Sequence, residues 1–524
     1  MARRLIAFCF AFVLAAVPLL AQPFGETIEV SLVNVDVVVT DRQGRHVGGL
    51  TADDFEVYGS GRRQPVTHFR ESAAAAGEPG QKRSLVLFFD QLPTTVGQDR
   101  ARLFGELKAF VRQSVRPGDA VSILEWQRGL HVRQPFTDDL AALERALDDV
   151  ARPEVRASRE NTEMMHWTRV MRRRWSQQVG ESRNIDRRIE WTAVDSADRA
   201  LAEMKGKAAA LRVAIGSMAP RDGRKALVMV SHRFSQFAGG EYLVTTAERA
   251  NRYYDTAGLQ REVIQAANAG GVTIYPLFPE GLPMSEVSEA DDDMIARQGR
   301  RTGYSRNFFR NESAALTNLA TSTGGFMAFS VADITRMLPR IAAELESYYS
   351  LAFPLPDAKP GPRKIGVRAK RDGLRVRFRR EYVVESDQDK LRGTLTAALF
   401  EPAGTARGEL PWRYELAAPE ESGGKLLHRI TLQIPVRALT AVPDGRSHNG
   451  AFEVYVLTVG GGGELGEVQR GGRRFQIANA ELERVRAGVF TYDLAVETPP
   501  GGAKVAIAVV DGVAKTHGIV RVDF

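Results

Sequence analysis

Four nearly unbroken apolar runs, "SLVLFFD" (84–90), "AVSILEW" (120–126), "ALVMVSH" (226–232) and "GVTIYPLF" (271–278), mark the middle of the chain. A strand with one wet face alternates apolar and polar residues, so runs like these need cover on both faces. The stretches between them have helical spacing: 98–115, with Leu103, Leu107, Phe110 and Val111 on one stripe, then 138–150, 193–217 and 243–269. Strand and helix alternating over such lengths imply right-handed crossovers and a mostly parallel, doubly wound α/β sheet. "HVRQPF" (131–136) reads as an antiparallel partner at one edge, and helices near 311–321 and 331–347 flank a short strand in "GGFMAFS" (324–330).

Strand patterns bracket this region. In 27–70, Val33, Val35, Val37 and Val39 share one face, with Asn34 and Asp36 on the other. Ile28, Val30 and Leu32 have the opposite phase, which places a bulge or bend near 32–33. "ESAAAAGEPGQKR" (71–83) is a small-residue, charged linker. The segment 361–385 is strand-rich again and reads as returning to the first module. The last stretch, 390–524, has short alternating strands with Gly- and Pro-rich turns, the spacing of a β-sandwich. The expected order is therefore an N-terminal β module over 27–80 completed by 361–385, an α/β domain over 84–355, and a C-terminal β-sandwich over 390–524.

Residues 1–21 have the pattern of a secretory signal peptide: Arg3 and Arg4, an apolar core over 5–20, and small Ala21 before the cut. The core is shorter than the ~20 residues a spanning helix needs, which leaves an uncleaved membrane anchor as the alternative. Cys9, the one cysteine, lies inside this leader, so a processed chain has neither disulfide nor thiolate metal ligand. The formal charge of +7 falls to +5 once Arg3 and Arg4 are removed. That mild excess on a long chain does not point to nucleic acid.

The motifs "VNVDVVVTDRQGRHVGGLTADDFEVY", "LVLFFD", "RPGDAVSILEW", "FTDDLAAL", "GRKALVMVSH", "LATSTGGF" and "YYSLAFPL" together resemble the von Willebrand factor A-related family of secreted bacterial proteins, of the acidobacterial type, over residues 27–385. The resemblance implies a Rossmann-like doubly wound domain whose binding face lies at the strand C-termini. In that family the face commonly carries a metal-ion-dependent adhesion site with an Asp-x-Ser-x-Ser loop, a threonine from a second loop, and a later aspartate. On this chain the first loop is "DQLPT": Asp90 matches, Leu92 replaces a serine, and Thr94 keeps a hydroxyl. "TAVDSADRAL" makes Thr192 the candidate threonine, and His232 stands where the aspartate belongs. Leucine has no lone pair and imidazole suits a hard ion poorly, so a remnant of Asp90, Thr94 and Thr192 would hold magnesium weakly at best. The bland alternative pairs Asp90 with His232, or has Asp90 cap a helix N-terminus.

Other stretches carry less. No HExxH, GxSxG or GxxxxGK[ST] occurs, and "GGGGELG" (460–466) precedes no helical pattern. In 162–178, Met164, Trp167, Met171 and Trp175 fall at helical spacing among Arg169 and Arg172 to Arg174. Such a helix either packs its stripe on the domain or docks a partner or membrane surface. Asp291, Asp292 and Asp293 lack the spacing of a calcium loop. The expected function is binding or adhesion to another protein or envelope macromolecule, secreted or periplasmic, with no catalysis and no cofactor. Its face would be built from Asp90, Pro93, Thr94, Thr192 and His232, extended by Arg173 and Trp175. The alternatives are a metal-dependent adhesion module with a weakened magnesium site, and an envelope enzyme using Asp90 and His232 with Thr94 or Ser231 alongside. If the leader is processed, N-terminal sequencing of exported protein should begin at Gln22; an intact Met1 there would mean an anchor instead.

Overall fold

The computed structural model describes residues 32–72, 82–90, 98–127, 129–152, 187–231, 234–239, 254–279, 301–354, 359–401, 403–404, 406–460, 465–499 and 502–524. Strands β1 (Leu32–Thr40), β2 (Phe55–Gly59), β3 (Arg62–Gln64) and β4 (His68–Ser72) come first. The central region follows as β5 (Arg83–Asp90), α1 (Gln98–Ser114), β6 (Ala120–Trp126), β7 (Leu130–Thr137) and α2 (Leu140–Ala151). It continues with α3 (Arg187–Met218), β8 (Arg224–Val230), α4 (Ala257–Gly270), β9 (Val272–Phe278), α5 (Arg301–Thr323), β10 (Ala328–Phe329) and α6 (Ser330–Glu346). Strands β11 (Tyr348–Pro354), β12 (Gly361–Ala369), β13 (Arg375–Phe378) and β14 (Glu381–Val384) complete this half.

The central sheet has the order β10-β9-β8-β5-β6-β7. Its strands are parallel except β7, which turns back antiparallel on β6 at one edge. Counted along the chain, the winding runs outward from β5 through β6 to β7. It then returns to the other side of β5 and runs outward through β8, β9 and β10. The direction reverses between β5 and β8, and in such sheets a crevice opens there beyond the strand C-termini.

The two-residue period of a strand explains how the sheet is covered. Leu85, Leu87 and Phe89 of β5 face one way, against Leu103 and Leu107 of α1, Leu147 of α2 and Ile334 of α6. Val86 and Phe88 face the other way, against Leu211, Ala214 and Met218 of α3 and Leu316 of α5. Every residue of β5 is buried, as its continuous apolar pattern requires. Local signals set the helix ends: Asp139 caps α2 by accepting from Ala141 N and Ala142 N, and Gly271 ends α4 in the left-handed region at φ +67°.

At the opposite end from the crevice, β1–β4 and β11–β14 interleave into two sheets, β13-β1-β11-β4 and β14-β12-β2-β3. Val35, Val37, Phe55, Tyr349, Phe353 and Val367 form their shared core. Strand β1 begins at Leu32 and buries Val33, Val35, Val37 and Val39, the face the alternation predicts, whereas Ile28 and Val30, on which the expected phase change rests, lie outside the described residues. The module meets the α/β sheet through charge. Arg224, at the start of β8 and nearly inaccessible, donates to Asp36 of β1 at 2.9 Å and lies over the Tyr348 ring at 5.1 Å. Beside it, Arg377 of β13 pairs with Glu344 of α6, which also accepts from Tyr275 at 3.1 Å.

After α7 (Asp387–Ala398), the C-terminal part forms two antiparallel sheets. Ile430, Leu432 and Ile434 of one pack on Val454, Val456, Ile507 and Val509 of the other. Helix α7 joins this unit to the α/β domain, since Leu395 and Ala398 share a core with Met218 of α3 and with Leu457 and Ala506 of the C-terminal sheet. Gly216 makes the approach possible: a Cβ there would lie 3.1 Å from the Thr396 methyl. Breaking a buried ion pair by removing one partner typically costs about 3–5 kcal/mol, because the other charge stays buried. Arg224→Met should therefore lower chemical-denaturation stability by about 3 kcal/mol, with Asp36→Asn/Arg224→Met recovering part of it.

Candidate functional site

The site follows from where β5 and β8 end. Strand β5 delivers Asp90 opposite Trp126 of β6 and one residue beyond the Phe89–Val230 pairing with β8. Ser231 continues β8, donating its backbone N–H to Leu277 O at 3.0 Å, and its hydroxyl donates to Asp90 Oδ2 at 2.8 Å. The third member comes from α3: Lys207 Nζ lies 2.7 Å from the same Asp90 Oδ2, with Glu203 Oε1 3.7 Å away. Asp90, Lys207 and Ser231 are 2%, 1% and 0% exposed, so the cluster is sealed from solvent at the ends of these strands.

Sequence places the lysine there through a glycine. At Gly206 a Cβ would meet Trp126 Cη2 at 2.6 Å, so only glycine lets the indole press this close to the helix. That approach carries the next residue, Lys207, onto Asp90. Met204, Lys207, Leu211, Ala214 and Met218 all fall on the face of α3 that meets the sheet. A lysine inside an apolar stripe was the signal that could have exposed the pair, and sequence reasoning passed over it.

Electrostatics fits a charge pair inside the protein. Burial by itself pulls the Lys207 ammonium down, but the Asp90 carboxylate, with Glu203 and Glu312, outweighs it and holds the pKa above the ordinary value. Burial, together with the nearby Glu203 charge, raises the Asp90 carboxyl more than Lys207 and Ser231 lower it. The two shifts favour opposite charge states at one contact. The 2.7 Å lysine contact and the raised ammonium point to the charged pair, because a neutral Asp90 would strand a buried cation.

The wall above is pinned to its neighbours. Phe234 N donates to Glu312 at 2.9 Å, and Asn311 exchanges hydrogen bonds with Phe237 at 2.7 and 3.0 Å. Gly239, at φ +65°, lies against Ala197 of α3, where a Cβ would sit 2.6 Å from the Ala197 Cα. Tyr254 donates to Asp198 at 2.8 Å, tying the loop to the same helix. The 20 residues before Lys207 carry α3 about 30 Å past the level of Asp90, at 1.5 Å per residue.

Pro93, Thr94, His232, Arg173 and Trp175 lie outside the described residues, as do Leu92, the whole 162–178 stretch and Asp291 to Asp293. Thr192 lies within α3 rather than in a loop, fifteen residues before Lys207. That is about 22 Å along the helix axis from Lys207. Asp90 itself takes Lys207 and Ser231 as partners; the sequence reading sets Ser231 alongside it but does not include Lys207.

A metal at Asp90 does not fit the groups present. The ammonium already occupies the carboxylate oxygen that would bind it, and two cations 4 Å apart repel by about 4 kcal/mol per unit of charge at an effective dielectric near 20. Among the described residues, no three His, Cys, Asp or Glu side chains converge as a metal set. Nor do the described groups resemble a nucleophilic centre, since the Ser231 hydroxyl donates to a carboxylate already held by lysine.

No family model and no curated protein matches the chain. Solved structures with partial likeness include the conserved hypothetical protein BatB from Bacteroides thetaiotaomicron, 12% identical at a TM-score of 0.26, covering 50% of this chain and 96% of that one. Proximal thread matrix protein 1 from the mussel byssus, in a form with a zinc-occupied MIDAS motif, is 11% identical at a TM-score of 0.28, covering 52% and 47%. A point mutant of the PilB minor pilin from Streptococcus sanguinis is 8% identical at a TM-score of 0.28, covering 52% and 63%. The chain's own geometry, and not these likenesses, supports the reading below.

Replacing one member of the buried pair should be costly and replacing both should not. Asp90→Leu is expected to lose about 3–5 kcal/mol in urea unfolding, and Asp90→Leu/Lys207→Leu to recover most of it.

Proposed function

We propose that this chain is a secreted or envelope-facing von Willebrand A-like protein that binds another protein through the C-terminal end of its central sheet and catalyses no reaction. The observation that carries the reading is the strand order. The winding reverses between β5 and β8, and Asp90 and Ser231 stand at that reversal. Ligands of open α/β sheets bind in the crevice at this point. The sequence motifs quoted above supply the family resemblance.

The contents of the crevice floor favour binding over chemistry. A general acid, base or nucleophile must reach a substrate, whereas Asp90, Lys207 and Ser231 satisfy one another below the surface. What the end of the sheet offers instead is a wall: the overhanging half of α3, the pinned 234–239 loop, and the turn after β6. Among the described residues, no helix is long and apolar enough to cross a membrane. The leader pattern supports export, and the partner would then be met in the envelope or outside it.

A photo-cross-linking residue tests the location. Placed at exposed Asp195 on the overhang of α3, it should trap a specific protein from the envelope fraction. Placed at exposed Asp372 in the β12–β13 turn of the N-terminal module, it should not. The same adduct from Asp372 alone would move the binding face to the other end of the molecule.

A further inference from the structure

We infer that Lys207 is the resident cation of this site, its ammonium standing against Asp90 where a divalent ion would otherwise sit, so that the crevice keeps one shape whether or not metal is present. The inference deepens the binding role proposed above, but it stands on contacts that do not depend on any partner.

Three features give the lysine this role. It is held by geometry rather than by chance proximity: Nζ is 2.7 Å from Asp90 Oδ2, which also accepts from Ser231 at 2.8 Å. The ammonium therefore joins α3 to Asp90 at the end of β5, and Asp90 in turn holds Ser231 beyond the end of β8, on the other side of the topological reversal. Its surroundings are acidic beyond one partner: Glu203 is 3.7 Å from Nζ, and Glu312 adds to the field that holds the proton. A tethered cation also differs from a bound one in its thermodynamics. An ion stabilises the folded state through mass action, by an amount that grows with the logarithm of its concentration above Kd, while a lysine on the chain is always present.

The chemistry further predicts what lies under the ammonium. With the side chain cut back, Asp90 and Ser231 supply a carboxylate and a hydroxyl at one point, and Glu203, now 3.7 Å from the ammonium, supplies a second carboxylate. Oxygen donors of this kind suit a hard divalent ion. Lys207→Ala should thus turn a metal-indifferent site into a metal-dependent one. Lys207→Met, which fills the space without charge, should destabilise without creating the site.

The experiment uses the full processed chain and inorganic ions alone, so its outcome is independent of whether a protein partner binds. Thermal unfolding is measured in chelator and in millimolar Mn2+ or Mg2+, alongside calorimetric titration with Mn2+. Wild-type protein should show the same midpoint in both conditions and no saturable heat. Lys207→Ala should melt lower in chelator and regain several degrees in Mn2+, and Lys207→Met should melt lower with no regain. A wild-type midpoint that rises in Mn2+, or a saturable wild-type isotherm, overturns the inference. So does a folded Lys207→Ala variant that Mn2+ leaves unmoved. If that variant does not fold in chelator, folding on addition of Mn2+ supports the inference, and the wild-type titration decides it otherwise.

Discussion

A carboxylate at the end of a fully buried strand has to be neutralised, and the way this chain does so shapes the domain around it. Asp90 is 2% exposed, with Lys207 and Ser231 on one of its oxygens. An isolated buried carboxylate would protonate or pull the strand end open. Pairing it with a lysine from α3 holds that helix across β5 and β8 at the point where the sheet changes direction. The glycine before the lysine and the tryptophan it admits belong to the same solution, because the ammonium reaches Asp90 only if α3 lies this close.

Charge does similar work at the other end of the sheet, with a different result. Arg224 and Asp36 join the α/β domain to the N-terminal module, and Arg377 reaches Glu344 from the same module. These contacts occupy the N-terminal ends of the parallel strands and leave the C-terminal ends to the crevice. The C-terminal unit attaches along a third surface through apolar packing of α7. The molecule thus has one end of its sheet covered by a module of its own chain, and the other bounded by the overhanging α3.

Much of the fold was legible because it rests on local patterns. The apolar runs became β5, β6, β8 and β9, and the stripe of Leu103, Leu107, Phe110 and Val111 became the buried face of α1. Helix ends were less legible. Among the described residues helix α3 reaches back to Arg187, six residues before its apolar periodicity begins, because the early turns project beyond the sheet and need no continuous apolar face. That extension puts Thr192 inside a helix and away from Asp90.

The sequence by itself determined that β5 would be buried on both faces and would end in an aspartate, since period and composition are properties of consecutive residues. It also determined that this aspartate would stand on the same side of the sheet as the end of β8, because parallel strands with helical crossovers bring their C-termini to one side. Only the tertiary structure decided what neutralises the carboxylate. Lys207 is far from Asp90 along the chain, and its helical pattern gives no distance between them. The contact depends on how closely α3 packs, which Gly206 and Trp126 set together once the sheet has formed. Periodicity says which face of a helix turns inward, but the depth of its packing is settled by side chains from elements that meet only in the folded state.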